Sequence, residues 1–137
     1  MVVLDRVAAG LAPEVEFITL SSYGAGTVSQ GVKVIKDIDS DVHGRDILLI
    51  DDILESGRTL SYAKELMYER GARNVTIAVL LDKREKRKTD LEADYVGFEC
   101  PDHFVVGYGM DVAYAFRELP FVGVVTGDAE EAVPAKV

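Results

Sequence analysis

The segment Ile47-Leu48-Leu49-Ile50-Asp51-Asp52-Ile53-Leu54-Glu55-Ser56-Gly57-Arg58-Thr59-Leu60 constrains the fold more than any other part of the chain. Its first four residues are too apolar for a strand with one wet face, so residues 47–50 read as a central strand of a parallel sheet, covered on both sides. Two adjacent carboxylates close that strand. An acid and a small Ser-Gly-Arg-Thr loop then open a helix over residues 59–70. Leu60, Ala63, Leu66 and Met67 lie on its buried side, and Gly71 is its C-terminal stop.

The rest of the chain extends this strand–loop–helix unit. Residues 2–11 read as a short helix, with Val3, Val7 and Leu11 at helical spacing. Residues 14–20 alternate, which predicts a strand with Val15, Phe17 and Thr19 on one face. Three glycines and four Ser or Thr residues make 21–31 a mobile loop. Residues 32–37 form a second strand and 39–44 a turn. Residues 75–81 form another buried strand. Residues 95–98 and 121–125 are shorter strands, separated by a loop and a short helix near 112–117. Strands alternating with helices imply an α/β domain around a mainly parallel sheet. The tail from 127 to 137 lacks periodicity and reads as disordered, which leaves one domain over residues 1–126.

A chain of 137 residues suits a single core. Its net charge of −9 argues against non-specific nucleic-acid binding, which depends on neutralising phosphates. A local basic pocket for a small phosphorylated ligand is compatible with it. No apolar run approaches the ~20 residues needed to span a bilayer, so no membrane role is expected. The first residues, Met1 to Arg6, lack the pattern of a secretory signal. The single cysteine, Cys100, cannot form an internal disulfide or a cysteine metal site, and fits a reducing cytoplasm.

A tight loop between a parallel strand and a helix N-terminus is a prepared anion site, because unpaired N–H groups point outward and the helix dipole favours negative charge. Ser56 and Thr59 add hydroxyl donors, and Gly57 lets the backbone approach closely. A Walker loop is excluded, since the glycine-lysine-hydroxyl run is missing. Asp51 and Asp52 repel one another unless hydroxyl donors or a metal satisfy them. Vicinal ribose hydroxyls with Mg²⁺ nearby would do so.

The whole string resembles the signature of the type I phosphoribosyltransferases, which use phosphoribosyl pyrophosphate (PRPP). The likeness extends from about residue 14 to about residue 125. Ser21-Ser22-Tyr23-Gly24 resembles the flexible loop that closes over the active site in the hypoxanthine-guanine branch. Leu81-Asp82-Lys83 is similar to its base-recognition strand end. Phe104-Val105-Val106-Gly107-Tyr108-Gly109-Met110-Asp111 resembles its purine-binding loop, and Phe116-Arg117-Glu118-Leu119-Pro120 follows as in that branch.

The resemblance implies the type I phosphoribosyltransferase fold and a purine-salvage reaction. That reaction moves the phosphoribosyl group from PRPP to N9 of hypoxanthine or guanine and releases pyrophosphate. It implies Glu55 as general base at N7 of the purine. Asp51, Asp52, Glu55, Ser56, Gly57, Arg58 and Thr59 would bind PRPP or nucleotide, and Lys83, Phe104, Val105 and Asp111 the purine. Ser22, Tyr23 and Arg117 would serve the closing loop and pyrophosphate. Mg²⁺ would be the cofactor, held near Asp51, Asp52 and Asp111. The implied partners are PRPP and a 6-oxopurine base, in a homodimer or homotetramer. His43 and His103 read as surface residues outside the site.

Two departures stand out. The family has Asp where this chain has Glu55, which shifts the carboxylate by about 1 Å, a displacement to which catalysis is sensitive. The family also has an N-terminal strand ending in a Leu-Lys-Gly type loop that contacts pyrophosphate. This chain begins just after that point, which suggests a shortened reading frame or a start at an internal methionine, with an exposed sheet edge. Two other readings follow: a PRPP-binding relic with little turnover, or a nucleotide-sensing, RNA-binding regulator of the same fold. The acidic charge disfavours the regulator.

Overall fold

The computed structural model describes residues 1–5, 13–22 and 31–127. Residues 6–12, which take in most of the expected first helix, residues 23–30 of the expected mobile loop, Tyr23 among them, and the tail from 128 lie outside the described residues. The chain divides into two compact units, Met1–Cys100 and Pro101–Val137.

In the first unit the apolar run Ile47–Ile50 becomes the middle of a longer strand. The elements are β1 (Val2–Asp5), β2 (Glu14–Phe17), β3 (Thr19–Ser22), β4 (Val32–Lys36), β5 (Asp46–Leu54), α1 (Arg58–Glu69), β6 (Asn74–Asp82) and β7 (Tyr95–Glu99). The main sheet has the order β2-β1-β5-β6-β7. β5, β6 and β7 are parallel, with Ile47 opposite Val75 and Val79 opposite Val96. β5 carries both aspartates within it and ends at Leu54, four residues beyond the apolar run. A separate antiparallel pair, β3 with β4, completes the unit.

One expectation near the N-terminus is corrected. Val2–Asp5 is a strand rather than the start of a helix, antiparallel to both β5 and β2. Val2-Val3-Leu4 is rich in β-branched residues, and an open ladder on β5 offers it backbone partners that outweigh a weak helical spacing. β1 thereby covers the β5 edge that was expected to be bare. The shared face of Val15 and Phe17 in the next segment is the exposed one. Val15 and Phe17 are exposed, while Ile18, in the break between β2 and β3, is 1% exposed and part of the core.

That core lies between the sheet and α1. Leu49, Ile77 and Val79 meet Leu60, Ala63 and Met67 there. Burying such side chains is worth about 1.5–3 kcal/mol each. α1 stops as its glycine requires: Gly71 takes φ +87°, and Ala72 N–H donates to the Met67 carbonyl at 3.0 Å. The opposite face carries a row in register across all five strands, Phe17-Val2-Ile50-Ala78-Tyr95. Phe17 and Tyr95 are exposed at its two ends.

The second unit is organised by a short antiparallel pair, β8 (Val105–Val106) with β9 (Gly123–Val124). Val105, Val106, Met110 and Val112 are buried. The helix expected near 112–117 does not form. Ala113, Tyr114 and Phe116 have φ of 47°, 68° and 73°, which a right-handed helix cannot contain. A bridge between Val112 and Ala115 closes a tight turn in its place.

Candidate active site

β5 and the turn after it build a cleft of about 370 Å³, lined by residues 51–57, 59 and 60 and by Ser22 at the end of β3. It sits at the carboxyl end of a parallel strand, where α/β sheets place ligands. The floor is acidic. Burial pushes the Asp51 carboxyl above its ordinary value, and the neighbouring Asp52 charge adds to that; the Met1 ammonium, 3.9 Å away, works in the opposite direction. Asp52 is exposed and accepts a hydrogen bond from the Ile53 N–H at 2.8 Å.

The turn supplies the opposite polarity. Gly57 is the N-cap of α1 with φ +82°, so no side chain caps the helix, and its first turn has no acidic residue. The positive end of the dipole therefore faces no carboxylate of its own helix and can favour an anion. Ser56 Oγ accepts the Arg58 N–H at 3.3 Å. Arg58 itself does not line the cleft.

Glu55 and Lys83 meet although 28 residues separate them. Lys83 Nζ donates to Glu55 Oε1 at 2.6 Å; the lysine side chain is 6% exposed and the glutamate 50%. The Lys83 N–H donates to the Leu54 carbonyl at 2.9 Å, which fixes the base of the side chain beside the turn. A buried ammonium needs such a partner.

The remaining expected residues lie in the second unit. Phe104 is half exposed and Val105 is buried in β8. Asp111 Oδ1 pairs with Arg117 Nη2 at 3.1 Å, and its Oδ2 accepts the Tyr114 N–H at 2.7 Å. Arg117 also donates to the Gly109 carbonyl at 2.6 Å.

Among the described residues no group of three or more His, Cys, Asp or Glu side chains is placed to hold a metal alone. Mg²⁺ does not ask for one, since it commonly binds through one or two carboxylates together with substrate phosphates and water. The Asp51–Asp52 pair, with its raised Asp51, fits a cation of that kind.

The family model described as "Phosphoribosyl transferase domain" matches residues 1–113. The chain belongs to this family. The phosphoribosyltransferase domain is 57% identical over 112 residues to a hypoxanthine-guanine phosphoribosyltransferase of Bacillus subtilis, covering 81% of this chain and 62% of that protein. It resembles a solved hypoxanthine phosphoribosyltransferase of Staphylococcus aureus with TM-score 0.76 and 44% identity, over 86% of this chain and 64% of that one. A Trypanosoma cruzi hypoxanthine phosphoribosyltransferase in complex with the product IMP matches with TM-score 0.72 and 36% identity, over 81% and 59% of the two chains. The phosphoribosyltransferase domain thus spans about three-fifths of the length of these relatives.

Two residues behind the turn, Arg87 and Asp82, have no site role in the sequence reading. Lys83, expected at the purine, is buried, and Arg87 bonds the carboxylate of Asp82, which is itself 1% exposed. The available signal was an aspartate closing a buried strand, which demands a nearby cation.

Proposed function

We propose that this phosphoribosyltransferase domain carries out purine salvage, transferring the phosphoribosyl group of PRPP to N9 of hypoxanthine, and of guanine. A bond forms between N9 and C1′, the C1′–oxygen bond to pyrophosphate breaks, and the proton on N7 passes to Glu55. The observation that carries the reading is the cleft itself: an uncapped helix N-terminus beside two carboxylates, one of them raised by burial, in a chain of this family.

Each role has a physical basis. The amides of the Glu55–Thr59 turn, with the Ser56 and Thr59 hydroxyls, hold the 5′-phosphate as an anchor distant from the reacting carbon. Asp51 and Asp52 face the ribose diol. Lys83 donates to the 6-oxo group, which adenine lacks. In the second unit Phe104 stacks on the purine and the Val105 backbone reads the ring edge. Asp111 and Arg117 serve the metal and pyrophosphate side. Ser22, with Tyr23, closes over the site to exclude water. When bound, Mg²⁺ offsets the charge that develops on the leaving pyrophosphate.

The enzyme works in the cytoplasm as a homodimer or homotetramer. The exposed apolar ends of the Phe17–Tyr95 row support an assembled state. The test is IMP formation from hypoxanthine, PRPP and Mg²⁺, with adenine as the rejected base and PRPP binding measured in parallel. Turnover with hypoxanthine supports the enzyme. Saturable PRPP binding without turnover reduces the reading to a binding protein, and no PRPP binding at millimolar ligand overturns it.

A further inference from the structure

We propose that Arg87 is a positioning residue that aims the phosphate-binding amides of the Glu55–Gly57 turn; the inference rests on the PRPP reading above. Arg87 lies behind the turn, with its side chain 11% exposed. Its guanidinium spans three acceptors: Nε donates to the Glu55 carbonyl at 3.1 Å, Nη1 to the Leu91 carbonyl, and Nη2 to Asp82 Oδ1. Asp82 is fully buried at the end of β6, so the arginine is anchored to the sheet as well as to the loop at Leu91.

The next residues repeat the pattern one peptide further along. The Lys88 N–H donates to the Ser56 carbonyl at 2.9 Å, and Thr89 Oγ1 approaches the same oxygen at 3.4 Å. Both carbonyls of the turn are therefore drawn back onto the 87–89 segment. In a trans peptide the C=O of one residue and the N–H of the next point in opposite directions. Holding the Glu55 and Ser56 carbonyls rearward thus turns the Ser56 and Gly57 N–H groups forward, away from Arg87. The basic run does not touch the anion in this arrangement. It orients the groups that do.

The fork geometry matters as well as the charge. A guanidinium presents donors in a fixed plane and can serve the turn, Leu91 and Asp82 together, whereas an ammonium is a single point on a flexible stem. Gly57 leaves no slack between turn and buttress. A Cβ there would clash with Thr89 Oγ1 and lie 3.1 Å from Arg87 Cδ.

The experiment compares the parent chain with Arg87→Met, Arg87→Lys and Thr89→Val. PRPP affinity with Mg²⁺ is measured by calorimetry, and the Ser56 and Gly57 amides are followed by ¹⁵N NMR during titration. Arg87→Met should weaken PRPP about tenfold or more, in line with the sensitivity of such sites to ~1 Å displacements. Its two amides should also lose their ligand-induced shifts while the amides of β6 are unchanged. Arg87→Lys should recover less than half of the lost binding, in logarithmic terms. Should Arg87→Met not fold, Thr89→Val carries the test, with an expected loss of about threefold, the size of a marginal hydrogen bond. Parent-like PRPP affinity in folded Arg87→Met, or in Thr89→Val if Arg87→Met does not fold, overturns the proposal while leaving the PRPP reading intact. Full rescue by lysine also overturns it, since only charge would then matter. A parent chain that does not bind PRPP overturns both.

Discussion

Lys83 Nζ lies 2.6 Å from Glu55 Oε1, joining the residue expected to read the purine 6-oxo group to the residue expected to take the N7 proton. The pair holds both side chains in place before a base arrives. In the proposed reaction, a 6-oxopurine would draw the ammonium toward its oxygen and leave the carboxylate free for the proton. Glu55→Gln keeps an acceptor for Lys83 but removes the base, so kcat should fall by about 10²–10⁴-fold with little change in Tm. Glu55→Asp should equal or exceed the parent in kcat. Steady-state IMP formation decides, and a glutamine variant as fast as the parent would remove the general-base role.

Asp51 supplies a pH test. Its carboxyl is raised because burial disfavours the charged form and Asp52 repels it. The folded state therefore holds this proton more tightly than the unfolded chain does. The resulting destabilisation is complete above the folded-state value, shrinks as pH falls through the window between that value and 3.8, and is absent below 3.8. Asp51→Asn should raise Tm at pH 7 by a few degrees. That advantage should vanish as pH falls through the window, and PRPP affinity should drop at pH 7. Thermal melts from pH 7 down to below the ordinary value of 3.8 provide the check.

The strand–turn–helix unit was legible because its cause is local. An apolar run, a glycine with positive φ and a periodic helix each read from a few neighbouring residues. β1 was not legible, because a strand that exists through pairing with Leu48–Ile50 needs a partner more than forty residues away. The Glu55–Lys83 pair was hidden for the same reason. Arg87 was not legible, because a basic run ordinarily faces solvent and its burial depends on Asp82 being sealed at the end of β6. The expected helix at 112–117 failed on backbone conformation, at residues whose types do not announce a left-handed φ.

Gly57→Ala tests the turn directly. A left-handed φ costs a residue with Cβ about 1–2 kcal/mol, and the clash with Thr89 Oγ1 adds to it. The variant should melt several degrees lower and lose PRPP binding. Adding Thr89→Ala removes the clash and leaves the φ cost, so the double variant should regain part of the Tm. Absence of any regain would show that contact with Thr89 does not limit the turn.

Which residue at the end of β2 faces the core can be decided by two truncations. Ile18 is 1% exposed, its N–H donates to the Met1 carbonyl at 3.2 Å, and its side chain belongs to the main cluster. Phe17, one residue earlier, is 59% exposed on the opposite face. Ile18→Ala removes buried methylenes and leaves a cavity, which costs about 2–5 kcal/mol. Phe17→Ala should cost less than about 0.5 kcal/mol in the isolated chain, as surface changes do. Denaturant melts at two protein concentrations also test the assembled state. If Phe17 lies under another subunit, its truncation should cost more at high concentration than at low, because association stabilises the folded form by mass action. A cost for Phe17→Ala above that for Ile18→Ala at every concentration would mean that the strand faces the other way.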